Sequence, residues 1–134
     1  MKKEVSNWLD SAQYNLETAE HMFNAGRHIY TVFMCHLALE KTLKAILTEM
    51  LNELPPYTHN LNRLIEMANI ELPGEYQVFI DELNLQSVPT RYPEDFKKIS
   101  KEFNRKIAGD YLRQTKRTMR WLKQNIPQLK SRKS

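Results

Sequence analysis

A chain of 134 residues with 41% hydrophobic and 27% charged side chains can bury one core, has no room for a second domain of ordinary size, and is too apolar to be disordered. No apolar run reaches the roughly 18 residues of a membrane span, and Met1 Lys2 Lys3 Glu4 leads into an amphipathic stretch rather than an apolar signal core, so a cytoplasmic protein without a membrane partner is expected. The net charge of +4 is uneven: Tyr111 to Ser134 holds eight basic residues and no acid, against twelve basic and sixteen acidic residues before it.

Residues 4 to 25 place Val5, Trp8, Leu9, Ala12, Leu16, Ala19, Met22 and Phe23 at helical spacing, which predicts an amphipathic first helix. Gly26 stands where a left-handed C-terminal cap is wanted, and so short a link predicts an antiparallel hairpin. Residues 28 to 51 are apolar around most of a helix about seven turns long, which predicts a central position. Yet His36, Glu40 and Lys44 recur every four residues, within an arc of roughly 80°. Polar groups on a central helix must find partners there or open onto a cleft. The single cysteine, Cys35, lies in the same apolar stretch and is read as a buried, inert thiol.

Pro55 and Pro56 bar the second helix from continuing. A third helix is predicted from Leu61 to about Ile70, with Thr58 or Asn60 as its N-cap and Pro73 Gly74 closing the unit. A short helix follows from Glu75 to about Leu85. Pro89 and Pro93 are expected to interrupt regular structure and hold Arg91 and Tyr92 in a rigid loop. The last helix, from about Lys98 to Asn125, is predicted to bend or split at Gly109 and to end at Pro127. The domain reading is therefore one bundle, 1–126, and a basic tail, 127–134, frayed from Gln128 onward. The fold class is all-α: an up-and-down bundle of four to five helices with a short helical insertion.

Four histidines coexist with Glu40, but neither HExxH nor the Glu-x-x-His pair of diiron bundles occurs, so no metal site is expected. Three glycines cannot build a phosphate loop or dinucleotide fingerprint, no nucleophile motif is present, and no cofactor is expected. Metal-free RNA chemistry needs less: a histidine for the 2′-hydroxyl proton and an arginine for the phosphorane charge. Lys44, Arg91 and the basic last helix can bind phosphates and Tyr92 can stack on a base. The plainer alternatives are that Tyr92 packs on the bundle end, that Arg91 pairs with Glu40 or a helix terminus, and that the basic helix is simply solvated.

Trp8, Leu9, Ala12, Leu16 and Ala19, the turn at Gly26, then Tyr30, Phe33, Ala38, Glu40 Lys41, Lys44 Ala45, Thr58 His59 Asn60 Leu61 with Leu64, and Arg91 Tyr92 Pro93 together resemble the HEPN domain family, over about residues 5 to 125. The resemblance implies a four-to-five-helix bundle, commonly a homodimer. It also implies a minimal nucleotidyltransferase as partner and a toxin-antitoxin-like or RNA-related role. HEPN ribonucleases carry an Arg, four to six residues, then His motif. Here neither Arg91 nor Arg105 is followed by a histidine, and the last one in the chain is His59. That departure weighs against the family's usual ribonuclease route, unless His36 or His59 reaches the arginine through folding or dimerisation. The expected site is a nucleotide- or RNA-binding cleft bordered by Glu40, Lys41, Lys44, His59, Arg91 and Tyr92. A variant metal-independent endoribonuclease and a pure oligomerisation scaffold are the alternatives.

Overall fold

The computed structural model describes residues 2–130. Among them there is no strand, and eight helices follow in order: α1 (Lys3–Asn24), α2 (His28–Leu51), α3 (Leu61–Met67), α4 (Gly74–Leu85), α5 (Ser87–Arg91), α6 (Phe96–Glu102), α7 (Arg105–Asn125) and α8 (Pro127–Lys130). The all-α bundle is as expected, with more short helices in its second half than apolar periodicity reveals.

The α1–α2 hairpin is the frame. Val5, Leu9, Ala12, Leu16 and Ala19 form one buried stripe along α1. Gly26 closes the helix with φ +76°, a conformation that costs a Cβ-free residue little, and Arg27 N–H reaches back to the Met22 carbonyl at 2.8 Å. The second helix is buried along most of its length, with α1 on one side and α7, α3 and α5 on others. It therefore has to satisfy polar side chains internally. Thr42 and Thr48 donate to the Ala38 and Lys44 carbonyls of their own helix, at 2.8 and 2.7 Å. The helix stops at Asn52, which takes a left-handed φ of 55°, before the two prolines are reached.

Four local expectations need revision. Helix α3 ends at Met67, with Asn69 at φ 53°, several residues before Pro73, and Gly74 opens α4 rather than closing α3. Pro89 lies inside the first turn of α5, where its missing N–H has no helical partner to lose, so Arg91 is the last residue of a helix instead of part of a loop. The final helical segment divides at Phe103 and Asn104, not at Gly109: Asn104 caps α7 by accepting from Ile107 N–H at 3.0 Å. Gly109 stays helical, and a Cβ there would stand 3.3 Å from the Phe23 ring, so the residue permits close approach of α7 to α1. Lastly, α8 carries a buried Leu129 into the core where a frayed end is expected from Gln128; residues 131–134 of that tail, with Arg132 and Lys133, lie outside the described residues.

Candidate functional site

The i, i+4, i+8 spacing on α2 does place His36, Glu40 and Lys44 on one side, and two other segments converge there. The first is the turn before α3. Asn60 caps that helix, accepting from Asn62 and Arg63 N–H at 3.1 and 3.3 Å, and it is tied to α4 because Asn84 donates to it at 3.1 Å and accepts from Leu61 N–H at 2.9 Å. This clamp fixes the backbone beside His59. The second is the end of α5, where the Arg91 guanidinium lies over the Phe33 ring, 4.6 Å from its centroid.

Glu40 is the hub, and its residue is only 4% exposed. Lys44 Nζ donates to Oε2 at 3.0 Å. His59 Nδ1 lies 2.8 Å from Oε1, and because a carboxylate only accepts, that nitrogen carries the proton. Arg91 Nη2 approaches the same Oε1 but stops at 3.8 Å, close enough for ionic attraction and too far for a hydrogen bond. His36 Nδ1 stands 3.7 Å from it. Lysine and arginine charge thus outweigh one carboxylate before either imidazole is counted. The opening is at His59, whose side chain is 60% exposed; that of Arg91 is 17% exposed.

The two histidines differ in kind. His36 is fully buried, and burial pushes its pKa down to about 4; the neighbouring Glu40 opposes that push, while Arg91 reinforces it. It is neutral at pH 7, and neither ring nitrogen has a hydrogen-bond partner. Asn84 favours its charged form, and the same amide also bonds Asn60 and the Leu61 N–H. His59 instead has one nitrogen fixed by a carboxylate and the rest of its ring in the open.

Of the six residues expected to border a cleft, Glu40, Lys44, His59 and Arg91 come together. Lys41 does not join them. One residue on from Glu40 is about 100° around the helix, and its Nζ donates to Ser11 of α1 at 2.7 Å, with burial lowering its pKa. Tyr92 is 75% exposed and lines a separate surface hollow of about 310 Å³ with Val88, Pro89 and Lys98, so it neither packs on the bundle end nor touches Glu40 through any described hydrogen bond. Two aromatic platforms were not anticipated: Phe33 under Arg91, and Trp8, whose ring centroid lies 5.7 Å from Lys44 Nζ. The α2 repeat contains the signal for Phe33, seven residues before Glu40 and hence on its face. Trp8 is on another helix, and nothing local indicates it.

On α7, Lys116 pairs with Glu20 at 3.0 Å and Arg117 with Glu75 at 3.5 Å, so part of the basic face is already neutralised within the chain. Cys35 is fully buried, and desolvation pushes its thiol up to about 12. Among the described residues, no cluster of three or more His, Cys, Asp or Glu side chains is placed to hold a metal ion, and no helix is long and apolar enough to cross a membrane.

An all-α bundle built on a long hairpin, with a buried carboxylate ringed by cationic and imidazole groups, defines the class of protein. The chain belongs to the HEPN family, whose domain model matches residues 5–126. Among solved structures it is similar to TT1696 from Thermus thermophilus, at 18% identity and a TM-score of 0.76, over 92% of this chain and 98% of that one. It is also similar to ST0689, an archaeal HEPN homologue, at 22% identity and a TM-score of 0.74, over 93% and 99% of the two chains. At such identities the likeness concerns the fold. No functionally curated protein matches the chain.

Proposed function

We propose that this HEPN domain is a cytoplasmic, homodimeric binding module that engages a minimal nucleotidyltransferase partner, and nucleotide or RNA, in a toxin-antitoxin-like pair. The ligand surface is the mouth of the Glu40 cluster, bordered by Lys44, His59 and Arg91, with Tyr92 on the adjoining surface as a stacking residue and Lys41 behind it. The observation that carries the reading is the cationic excess of Lys44 and Arg91 over Glu40 at an opening to solvent. A site with fixed positive charge and an exposed imidazole suits a phosphate group. The test is binding of AMP, a short oligoribonucleotide and a co-expressed nucleotidyltransferase to the folded protein at low salt. Phosphate contacts give affinity that falls steeply with salt. A folded sample that binds none of the three would sink the proposal.

One observation favours a second reading, a metal-independent endoribonuclease. Glu40 fixes the proton of His59 on Nδ1, which leaves Nε2 to take a proton, and Arg91 lies beside the same carboxylate oxygen. The family's Arg-to-His spacing is absent, so such an activity would run through this pairing across the fold. RNA cleavage in EDTA that is lost in His59→Ala would support it, and intact RNA under all conditions would remove it.

A further inference from the structure

Arg91 presents a specific deficit. Its Nε and Nη2 are both buried and neither has a hydrogen-bond partner. These two nitrogens form one edge of the guanidinium, the fork that takes both oxygens of a carboxylate or phosphate. The nearest carboxylate is Glu40, whose Oε1 lies 3.8 Å from Nη2. That oxygen already accepts from His59 at 2.8 Å. A carboxylate oxygen can accept two hydrogen bonds, yet only the imidazole is within bonding distance of this one, and the carboxylate it holds stays out of reach of the buried fork.

The two competitors differ in freedom. Arg91 is held over Phe33 at the end of α5 and needs to advance only about 1 Å to reach the 2.7–2.9 Å of a charge-assisted hydrogen bond. His59 is on an exposed turn with its side chain 60% open. Lys44 stays on the other oxygen, Oε2, and has no part in the contest. Departure of His59 removes the hydrogen bond that holds Oε1 on its side and leaves Glu40 free to turn toward the fork.

We propose that a phosphate oxygen takes over the Nδ1–H of His59 and that Glu40, once released, closes on the Arg91 fork, so that His59 is the ligand-contacting residue and Arg91 the residue that locks the opened site. This rests on the reading of the cleft as a nucleotide or RNA site. It adds the ligand's chemistry, a phosphate group, and the order of contacts. The ligand shifts the equilibrium because it binds only the state in which His59 has left Glu40. Both a mononucleotide and an RNA backbone offer such an oxygen.

The test is NMR of the ¹⁵N-labelled full chain, following the Arg91 Nε–H signal. In His59→Ala, and in His59→Gln as a second variant, this signal should become sharp and exchange with solvent at least tenfold more slowly than in the wild type, because the fork has gained Glu40. AMP or hexauridylate added to the wild type should produce the same change, and the probe that does so at lower concentration identifies the source of the phosphate. An Arg91 signal unchanged in both His59 variants would overturn the exchange. Binding of either probe with Arg91 unchanged would overturn it too, while leaving the cleft reading intact. Closure in the variants with no binding of either probe would refute the cleft reading and with it the ligand's part in the exchange.

Discussion

His36 makes the acid stability of this protein predictable. Its imidazole titrates near the ordinary 6.5 in the unfolded chain and at about 4 in the fold. Between those values the unfolded state binds the proton and the native state does not, so stability falls as pH drops below 6.5 and the loss is complete below about 4. With 1.36 kcal/mol per unit, the loss from this residue is about 2 kcal/mol at pH 5 and about 3 kcal/mol once both forms are protonated. The groups facing the ring are Glu40, Arg91 and His59, and all three are kept in His36→Leu. What these groups contribute is therefore largely common to variant and wild type when the two are compared at each pH. Urea unfolding at pH 7.5 and pH 5 measures the difference. The wild type should lose about 2 kcal/mol more than His36→Leu over that interval, whatever the variant's stability at pH 7.5. Parallel losses in the two proteins would refute the claim that His36 is held neutral by burial.

Other substitutions probe the cluster and the frame. Glu40→Gln leaves Lys44 and Arg91 buried without their counter-charge and should lower stability by about 3 kcal/mol or more in urea unfolding. Asn60→Ala removes the α3 cap and one anchor to Asn84, so about 1 kcal/mol of stability should be lost, and ligand affinity should weaken because His59 is adjacent. Cys35, with its thiol pushed up to about 12 and no exposed surface, should resist a thiol reagent at pH 8 in the native protein and react fully in denaturant. Equal rates in the two conditions would contradict its burial.

How far the fold is legible in the sequence varies along the chain, for physical reasons. The hairpin is legible because Val5 to Ala19 repeat at 3.6 residues and Gly26 has one conformational use there. The second half is less so, since its helices are short and their limits are set by caps. Asn104 has a strong N-cap preference, yet Gly109 is the more obvious irregularity, and Pro89 signals a break although the first turn of a helix accepts it. At the site, the α2 face of Glu40 follows from helical geometry alone, and the same geometry turns Lys41 toward Ser11. The convergence of His59 and Arg91 on Glu40 spans separations of 19 and 51 residues, which no local pattern encodes; it depends on how α3, α4 and α5 fold back on α2.

The measurement closest to the central claim compares where a phosphate ligand binds. Fluorescence anisotropy of a labelled oligoribonucleotide at low salt would be read for the wild type, for Arg91→Ala, and for Lys116→Gln with Arg120→Gln on α7, each checked for native helicity. The Glu40 cleft account predicts a loss of tenfold or more in Arg91→Ala, a value corresponding to about 1.4 kcal/mol, and a smaller change in the α7 variant. Wild-type affinity in Arg91→Ala together with lost binding in the α7 variant would contradict it and move the ligand to the basic face.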